Sequence, residues 1–191
     1  DLWVTQEGTS TTPALQDRLY KGLGDGTFED VTGDAGLETT GWRQVQSVDT
    51  LNNAEGHTRS WAANACDLDG DGIPELLSSS YGRAPNHLWD GSSDGESVTY
   101  ENISVDSGYA YDDRKDWSDN ASARCHCKLH PEDEGCEGVP DPMRVRCNSD
   151  SDILRWNHSS DREAYRLGGN SGTTLCADFD RDGQLDLLTN E

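Results

Sequence analysis

Residues 66–77 read CDLDGDGIPELL, and residues 176–188 read CADFDRDGQLDLL. Each stretch holds a nine-residue segment with acids at positions 1, 3, 5 and 9 and glycine at position 6. The first set is Asp67, Asp69, Asp71 and Glu75, with Gly72; the second is Asp178, Asp180, Asp182 and Asp186, with Gly183. Four carboxylates held this close repel one another unless a cation sits among them. A hard divalent cation takes oxygen ligands at ~2.3–2.6 Å, and carboxylates supply them. Glycine at position 6 permits the sharp turn, and the backbone carbonyl at position 7, Ile73 or Gln184, would add a ligand. Calcium is expected ahead of magnesium, because the loop offers a flexible cage of protein oxygens. An EF-hand loop would need an acid at position 12, where Ser78 and Thr189 stand. The plainer alternative is a solvated acidic turn. One spacing that occurs twice, in register with a longer repeat, weighs against it.

The longer repeat is visible on both sides of the first loop. PNHLWD, residues 85–90, is followed by YENISVDSGY, residues 100–109. Near the start, QDRLYK, residues 16–21, is followed by FEDVTGDAGL, residues 28–37. Phe28 aligns with Tyr100, Asp30 with Asn102, Thr32 with Ser104 and Gly36 with Gly108; Leu19-Tyr20 aligns with Leu88-Trp89. DLWVT at Asp1 matches ELLSS at Glu75 and DLLTN at Asp186, so the chain is expected to open on the last acid of such a loop. One unit then reads as four short strands: SWAANAC, PELLSSS, NHLWD and VTYENIS, each bounded by turn-forming residues. No stretch shows a sustained helical period. Four short strands per repeat is the pattern of a propeller blade. Trp61 and Trp89 fall on these strands and are expected to pack between blades.

These loops, the segment RLYKGLGDGTFEDVTGDAGL (residues 18–37) and the Leu-Leu strands resemble the FG-GAP/VCBS repeats of secreted bacterial proteins. They are also similar to repeats of the cartilage acidic protein family and, more distantly, to integrin α-chain propellers. The resemblance covers most of the chain outside residues 111–159. It implies an all-β, calcium-stabilised propeller on an extracellular protein, with Asp67, Asp69, Asp71, Ile73, Glu75, Asp178, Asp180, Asp182, Gln184 and Asp186 as ligands. Glu75 departs from the aspartate usual at its position. The Gly-Ala-Pro element that follows the loop in integrins is matched only loosely, by YGRAP at residues 81–85. The expected architecture is a partial propeller of four-stranded blades, with repeats at about 1–59, 60–110 and 160–191 and a cysteine-rich insertion at 111–159. Too few blades are present to close a ring of ~4–8. The chain is therefore expected to belong to something longer, or to associate with further blades or other protein chains.

Composition sets the outer bounds. The 191 residues carry a net charge of −22, and only 32% are hydrophobic. Disorder is one reading of such acidity, and six Trp, six Tyr and the recurring apolar runs argue against it. No basic patch exists to neutralise phosphates, which argues against nucleic acid. No apolar run approaches the ~18 residues of a membrane span. Six cysteines point to an oxidising compartment, hence a secreted or cell-surface protein.

Four of those cysteines, Cys125, Cys127, Cys136 and Cys147, lie in the insertion. The Cys-x-Cys spacing departs from the usual zinc-ligand gaps of ~2–4 residues, so disulfides are expected, as 125–136 with 127–147 or as 125–147 with 127–136. Cys66 and Cys176 sit one position apart in equivalent strands, so they point to opposite faces. A disulfide between them across a blade interface is expected. No catalytic constellation stands out. His57, His87 and His158 have no motif around them, and GGNSG at residues 168–172 lacks the spacing of a nucleophile elbow. Asn102, Asn120 and Asn157 head glycosylation sequons, should the source glycosylate such sites. The reading is a calcium-binding module for adhesion, assembly or support, with glycans among its conceivable ligands. The alternatives are part of a secreted polysaccharide-active enzyme, or a filament or matrix subunit.

Overall fold

Every strand of the repeat forms, and the register between strands repeats with it. The structure is a computed structural model that describes residues 1–6, 15–41, 50, 53–57, 59–81, 85–110, 121–133, 136–143, 146–149 and 171–190. The central sheet is antiparallel, in the order β6 (Arg59–Cys66), β7 (Glu75–Tyr81), β8 (His87–Ser93), β9 (Val98–Asn102). These are the four strands read from the sequence. Before it lies a three-stranded sheet, β1 (Leu2–Val4), β2 (Arg18–Gly22), β3 (Phe28–Asp30). After it comes the pair β10 (Thr173–Ala177), β11 (Asp186–Asn190). A short parallel pair, β4 (Thr40–Gly41) with β5 (Gly56–His57), links the first sheet to the central one. The described residues are thus mostly β-strand, consistent with an all-β chain, with a helix in the insertion.

Register shows that the first sheet repeats the last three strands of the second. Leu2 faces Tyr20 as Leu76 faces Trp89, and Tyr20 faces Asp30 as Trp89 faces Asn102. The turn after the last strand is closed the same way in both. The Thr32 hydroxyl donates to Asp30 at 2.6 Å and accepts from the Leu19 amide at 3.0 Å. The Ser104 hydroxyl does the same with Asn102 and the Leu88 amide, at 2.5 and 2.9 Å. Gly36 and Gly108 then turn at φ of 79° and 80°, a region open to glycine at little cost.

The three sheets stack face on face, and the Leu-Leu doublet explains how. Successive strand residues point to opposite faces. Leu76 packs toward the first sheet, in a core with Ala35, Leu37, Trp89, Trp3 and Leu19. Leu77 packs the other way, with Leu88, Cys66, Ile103, Tyr109 and Leu187. The Trp3 indole donates to the Leu77 carbonyl at 3.0 Å, and the Tyr100 amide to the Ala35 carbonyl at 2.9 Å. On the other side, the Asn64 amide group donates to the Thr174 carbonyl at 3.0 Å. Cys66 and Cys176 are joined by a disulfide across this second interface, as their opposite-facing positions predict. Trp89 is buried as expected. Trp61 is not: it sits 55% exposed, on the same side of β6 as the exposed Ala63 and Ala65.

The insertion holds a departure from the all-strand reading. Helix α1 spans Ala121–Leu129, and its two cysteines pair with different partners: Cys125 with Cys147, and Cys127 with Cys136. Residues two apart on a helix point to nearly opposite sides, which is why neighbouring cysteines reach separate partners. The helix is short and polar, so its sequence carries little periodic signal. Asn120, Asn157, His158 and most of GGNSG lie outside the described residues.

Asp17 ties the first sheet to the central one and gives a prediction in pH. It is buried; its carboxylate accepts the Gln6 amide at 2.9 Å and the Ser60 hydroxyl at 2.8 Å. Burial dominates, and the carboxyl is pushed up to about 6, with these hydrogen bonds pulling against the rise. The folded state therefore holds a proton that the unfolded chain releases near pH 4. This group's contribution to stability is complete below about pH 4 and is lost as pH rises through 6. Asp17→Asn should flatten that part of the stability–pH curve, measured by urea unfolding between pH 4 and 7. A second expectation concerns the Cys66–Cys176 bridge, which closes a loop 110 residues apart in sequence. Replacing both cysteines by serine should cost about 2–5 kcal/mol in the same assay.

Candidate metal centre

Both acid loops run from the first strand of a sheet to its second: residues 67–74 join β6 to β7, and 178–185 join β10 to β11. Inside each loop the backbone amides orient the carboxylates, and the two loops do so in the same way. Position 5 donates its amide to position 3: Asp71 to Asp69 and Asp182 to Asp180, both at 3.0 Å. Position 6 donates to position 1: Gly72 to Asp67 at 3.2 Å and Gly183 to Asp178 at 3.0 Å. Position 7 donates to position 5: Ile73 to Asp71 at 2.7 Å and Gln184 to Asp182 at 2.8 Å. Position 2 donates to position 9: Leu68 to Glu75 at 2.5 Å and Phe179 to Asp186 at 2.9 Å. Four matching bonds in two loops of different sequence define a common fold.

The turn needs two left-handed residues. Gly72 and Gly183 at position 6 have φ of 92° and 95°, as the glycine there suggests. Position 4 is left-handed too, with Gly70 at 79° and Arg181 at 66°. The sequence reading missed this second turn, because arginine hides a conformation that glycine in the first loop advertises.

The acids converge, though not all in one group. Asp67, Asp69 and Asp71 bring one carboxylate oxygen each within 4.8 Å of one another, and so do Asp178, Asp180 and Asp186. Glu75 joins Asp69 and Asp90 in a separate group on the same criterion. Asp182 is in no such group; its carboxylate caps the Gln184 amide. Ile73 and Gln184 hydrogen bond within their loops through their amides, while their expected role is through the carbonyls. Asp90 was not legible as a site residue: it lies outside the loop, on β8.

Two features test whether a cation fits the first loop. Asp67 Oδ1 and Glu75 Oε1 are buried and have no hydrogen-bond partner among the described residues. A buried carboxylate oxygen left unpaired is costly, and a cation beside it would offset that cost. Burial also raises the Glu75 carboxyl, with the charges of Asp69 and Asp90 adding to the rise and the Leu68 amide opposing it. None of the loop acids forms an ion pair with lysine or arginine among the described residues. The donor set is all oxygen and hard, which suits calcium or magnesium and not a soft metal.

The histidines take structural places. His57 Nδ1 lies 2.7 Å from the Thr39 hydroxyl, and His87 Nε2 lies 3.0 Å from the Ala54 carbonyl, so His87 carries its proton on Nε2. Both are buried. Burial and the neighbouring His57 hold His87 down at about 4, so it is neutral at physiological pH. They stand apart from the acid loops, and the acidic groups above contain neither. Compared with protein-family models and with curated proteins, the chain matches none.

The packing of the first loop against β8 gives a direct test. A Cβ added at Gly91 would sit 2.7 Å from Ile73 Cγ2 and 3.0 Å from the Tyr100 ring. Gly91→Ala should displace Ile73, and with it the loop. The expected result is a loss of about 1–3 kcal/mol in unfolding free energy, from overpacking. Gly95→Ala, where a Cβ meets nothing within 4 Å, controls for effects on the chain at large. Its cost should be confined to the strain of φ 93°.

Proposed function

We propose that this chain is a calcium-stabilised segment of a β-propeller, built of four-stranded blades, and that it serves adhesion, assembly or structural support outside the cell. The observation that carries the calcium reading is the pair of buried, unpartnered carboxylate oxygens in a loop whose hydrogen bonding recurs in a second loop. Asp67, Asp69, Asp71 and Glu75 would hold one ion, with the Ile73 carbonyl; Asp178, Asp180, Asp182 and Asp186 would hold the other, with the Gln184 carbonyl. The bound ion supplies positive charge that cancels repulsion and fastens the first two strands of a sheet. Its role is in folding rather than in chemistry.

The blade reading is supported by what the stack leaves uncovered. Leu187 packs on the central sheet as Leu76 packs on the first. Leu188, the counterpart of Leu77, is 55% exposed, and its cross-strand partner Leu175 is 54% exposed. At the other end Leu2, the counterpart of Leu76, is 46% exposed. Each end of the stack thus repeats an apolar position that a neighbouring sheet covers in the middle. Further blades, or sheets of other protein chains, are the partners this pattern fits. Three disulfides are compatible with secretion or a cell-surface location. No helix among the described residues is long and apolar enough to cross a membrane.

Thermal unfolding with calcium, with chelator and with magnesium tests the proposal. A ligand that binds only the native state stabilises by ~2.7 kcal/mol at a hundredfold excess over Kd. Chelation should lower Tm clearly, and magnesium should restore it poorly because it prefers a tighter octahedral shell. Asp69→Ala and Asp180→Ala should each remove part of the calcium-dependent shift. An unchanged Tm after verified removal of metal would leave the loops as acidic turns.

A further inference from the structure

We propose that Asp90, on β8 and outside the loop motif, is a fifth carboxylate of the first cation site, so that this site binds a divalent cation more tightly than the second. The inference rests on the calcium reading and extends it to a residue that the loop pattern does not include. Asp69, Glu75 and Asp90 each place a carboxylate oxygen within 4.8 Å of the others. Glu75 is only 3% exposed, and its Oε1 has no hydrogen-bond partner among the described residues. Its other oxygen is held by the Leu68 amide. A buried, half-satisfied carboxylate grouped with two more carboxylates calls for a cation between them.

The neighbouring strand is built to bring Asp90 there. Gly91 has no side chain, and Ile73 of the loop occupies the space a Cβ would need. The loop therefore lies directly on β8 at Gly91, while Asp90, on the opposite face of that strand, is set beside Glu75 by the β7–β8 pairing, whose register puts Leu76 opposite Trp89. Glu75 is also one methylene longer than Asp186, its counterpart in the second loop. Asp186 groups with Asp178 and Asp180, positions 1 and 3 of its own loop, whereas Glu75 groups with position 3 and with β8.

The internal repeat supplies a contrast. Lys21 occupies the place of Asp90 in the first sheet, opposite Glu29 in register. There the cross-strand pair is of opposite charge. In the central sheet Asp90 stands directly opposite Glu101, a pair of like charge. Like charges directly opposite destabilise a sheet, and a cation held by Asp90 offsets that repulsion. The charge count of a calcium site tunes its affinity over orders of magnitude. Five acids against four therefore predict two classes of site, the tighter one at the first loop.

The test is calorimetric titration of the full chain with calcium chloride, for the wild type, Asp90→Asn, Glu101→Gln and Asp180→Asn. Asp90→Asn keeps the shape of the side chain at a half-buried position, and far-UV circular dichroism checks its fold. The wild type should show two classes of site. Asp180→Asn should remove the weaker class, and Asp90→Asn should weaken the tighter one at least tenfold. Glu101→Gln removes a charge of the same sign from the facing residue without removing a ligand, and should change the affinity less than threefold. If Asp90→Asn does not fold, Asp90→Glu, which keeps the charge and displaces the carboxylate, should still weaken the tighter class. Calcium binding by the wild type with no effect of either Asp90 variant would overturn the role of Asp90. Equal losses in Asp90→Asn and Glu101→Gln would also overturn it, by showing a general charge effect. No calcium binding by the wild type would overturn the calcium reading itself.

Discussion

A sheet with leucines at consecutive positions has two apolar faces to cover, and the rest of this molecule follows from that requirement. Leu76 and Leu77 cannot share a face. Each needs its own neighbour, so the central sheet lies between two others. A single sheet-on-sheet sandwich would leave one leucine of every doublet in water. A stack of similar sheets covers both, and each sheet in turn presents the same pair to the next. The contacts that set the stack are correspondingly specific. Trp3 donates across one interface, Asn64 across the other, and the Cys66–Cys176 bond makes the second covalent.

The acid loops sit where this stacking concentrates strain of another kind. Each connects the first and second strands of a sheet, so its fold fixes where the leucine doublet begins. Glu75 and Asp186 are at once the last acid of a loop and the first residue of a strand. Their hydrogen bond from position 2 closes the loop on the strand. A loop of four carboxylates that must adopt one shape has a Coulombic cost, and internal amide donors meet only part of it. The oxygens left over, Asp67 Oδ1 and Glu75 Oε1, are in the loop whose sheet is covered on both sides. In the second loop, on the less covered sheet, Asp186 is more exposed than its counterpart Glu75. Burial by stacking thus sets how strongly each loop needs a counter-charge.

Much of this was legible in the sequence because two periods coincide. The period of two in the strands and the spacing of the acids are both local patterns, so β6 to β9, the doublets and both loops could be read directly. Strand alternation put Cys66 and Cys176 on opposite faces, and the stacking direction that brings those faces together is set by the fold. What stayed hidden depends on contacts between distant segments. Asp90 and Glu75 are adjacent only because β7 pairs with β8, and nothing in the residues around Asp90 marks it as part of a loop. Trp61 reads as a core residue by type and lies on the exposed side of its strand, with Ala63 and Ala65. Helix α1 was missed since its nine residues, ASARCHCKL, carry no apolar stripe and its cysteines are held by two disulfides. Arg181 takes a left-handed turn that its side chain does nothing to announce.

The composition that first suggested disorder has a physical place in this arrangement. With 32% hydrophobic residues, the chain spreads its apolar groups thinly, two or three to a strand. The cores they form are thin layers between sheets, with serines and threonines filling the rest. Ser78, Ser79 and Ser80 of β7 are all buried, and Ser79 meets Thr174 of the next sheet through its hydroxyl. Hydroxyl contacts contribute modestly, about 0.5–1.5 kcal/mol for a typical hydrogen bond. Such an interior holds its shape less firmly than one of packed leucine and isoleucine. Crosslinks therefore carry more of the stability: a disulfide at one sheet interface and two more in the insertion, joined on the proposed reading by a cation in each carboxylate loop. The acid loops, part of the high negative charge, stand at the junctions of the first and second strands, and on the proposed calcium reading each is a junction that an ion would lock.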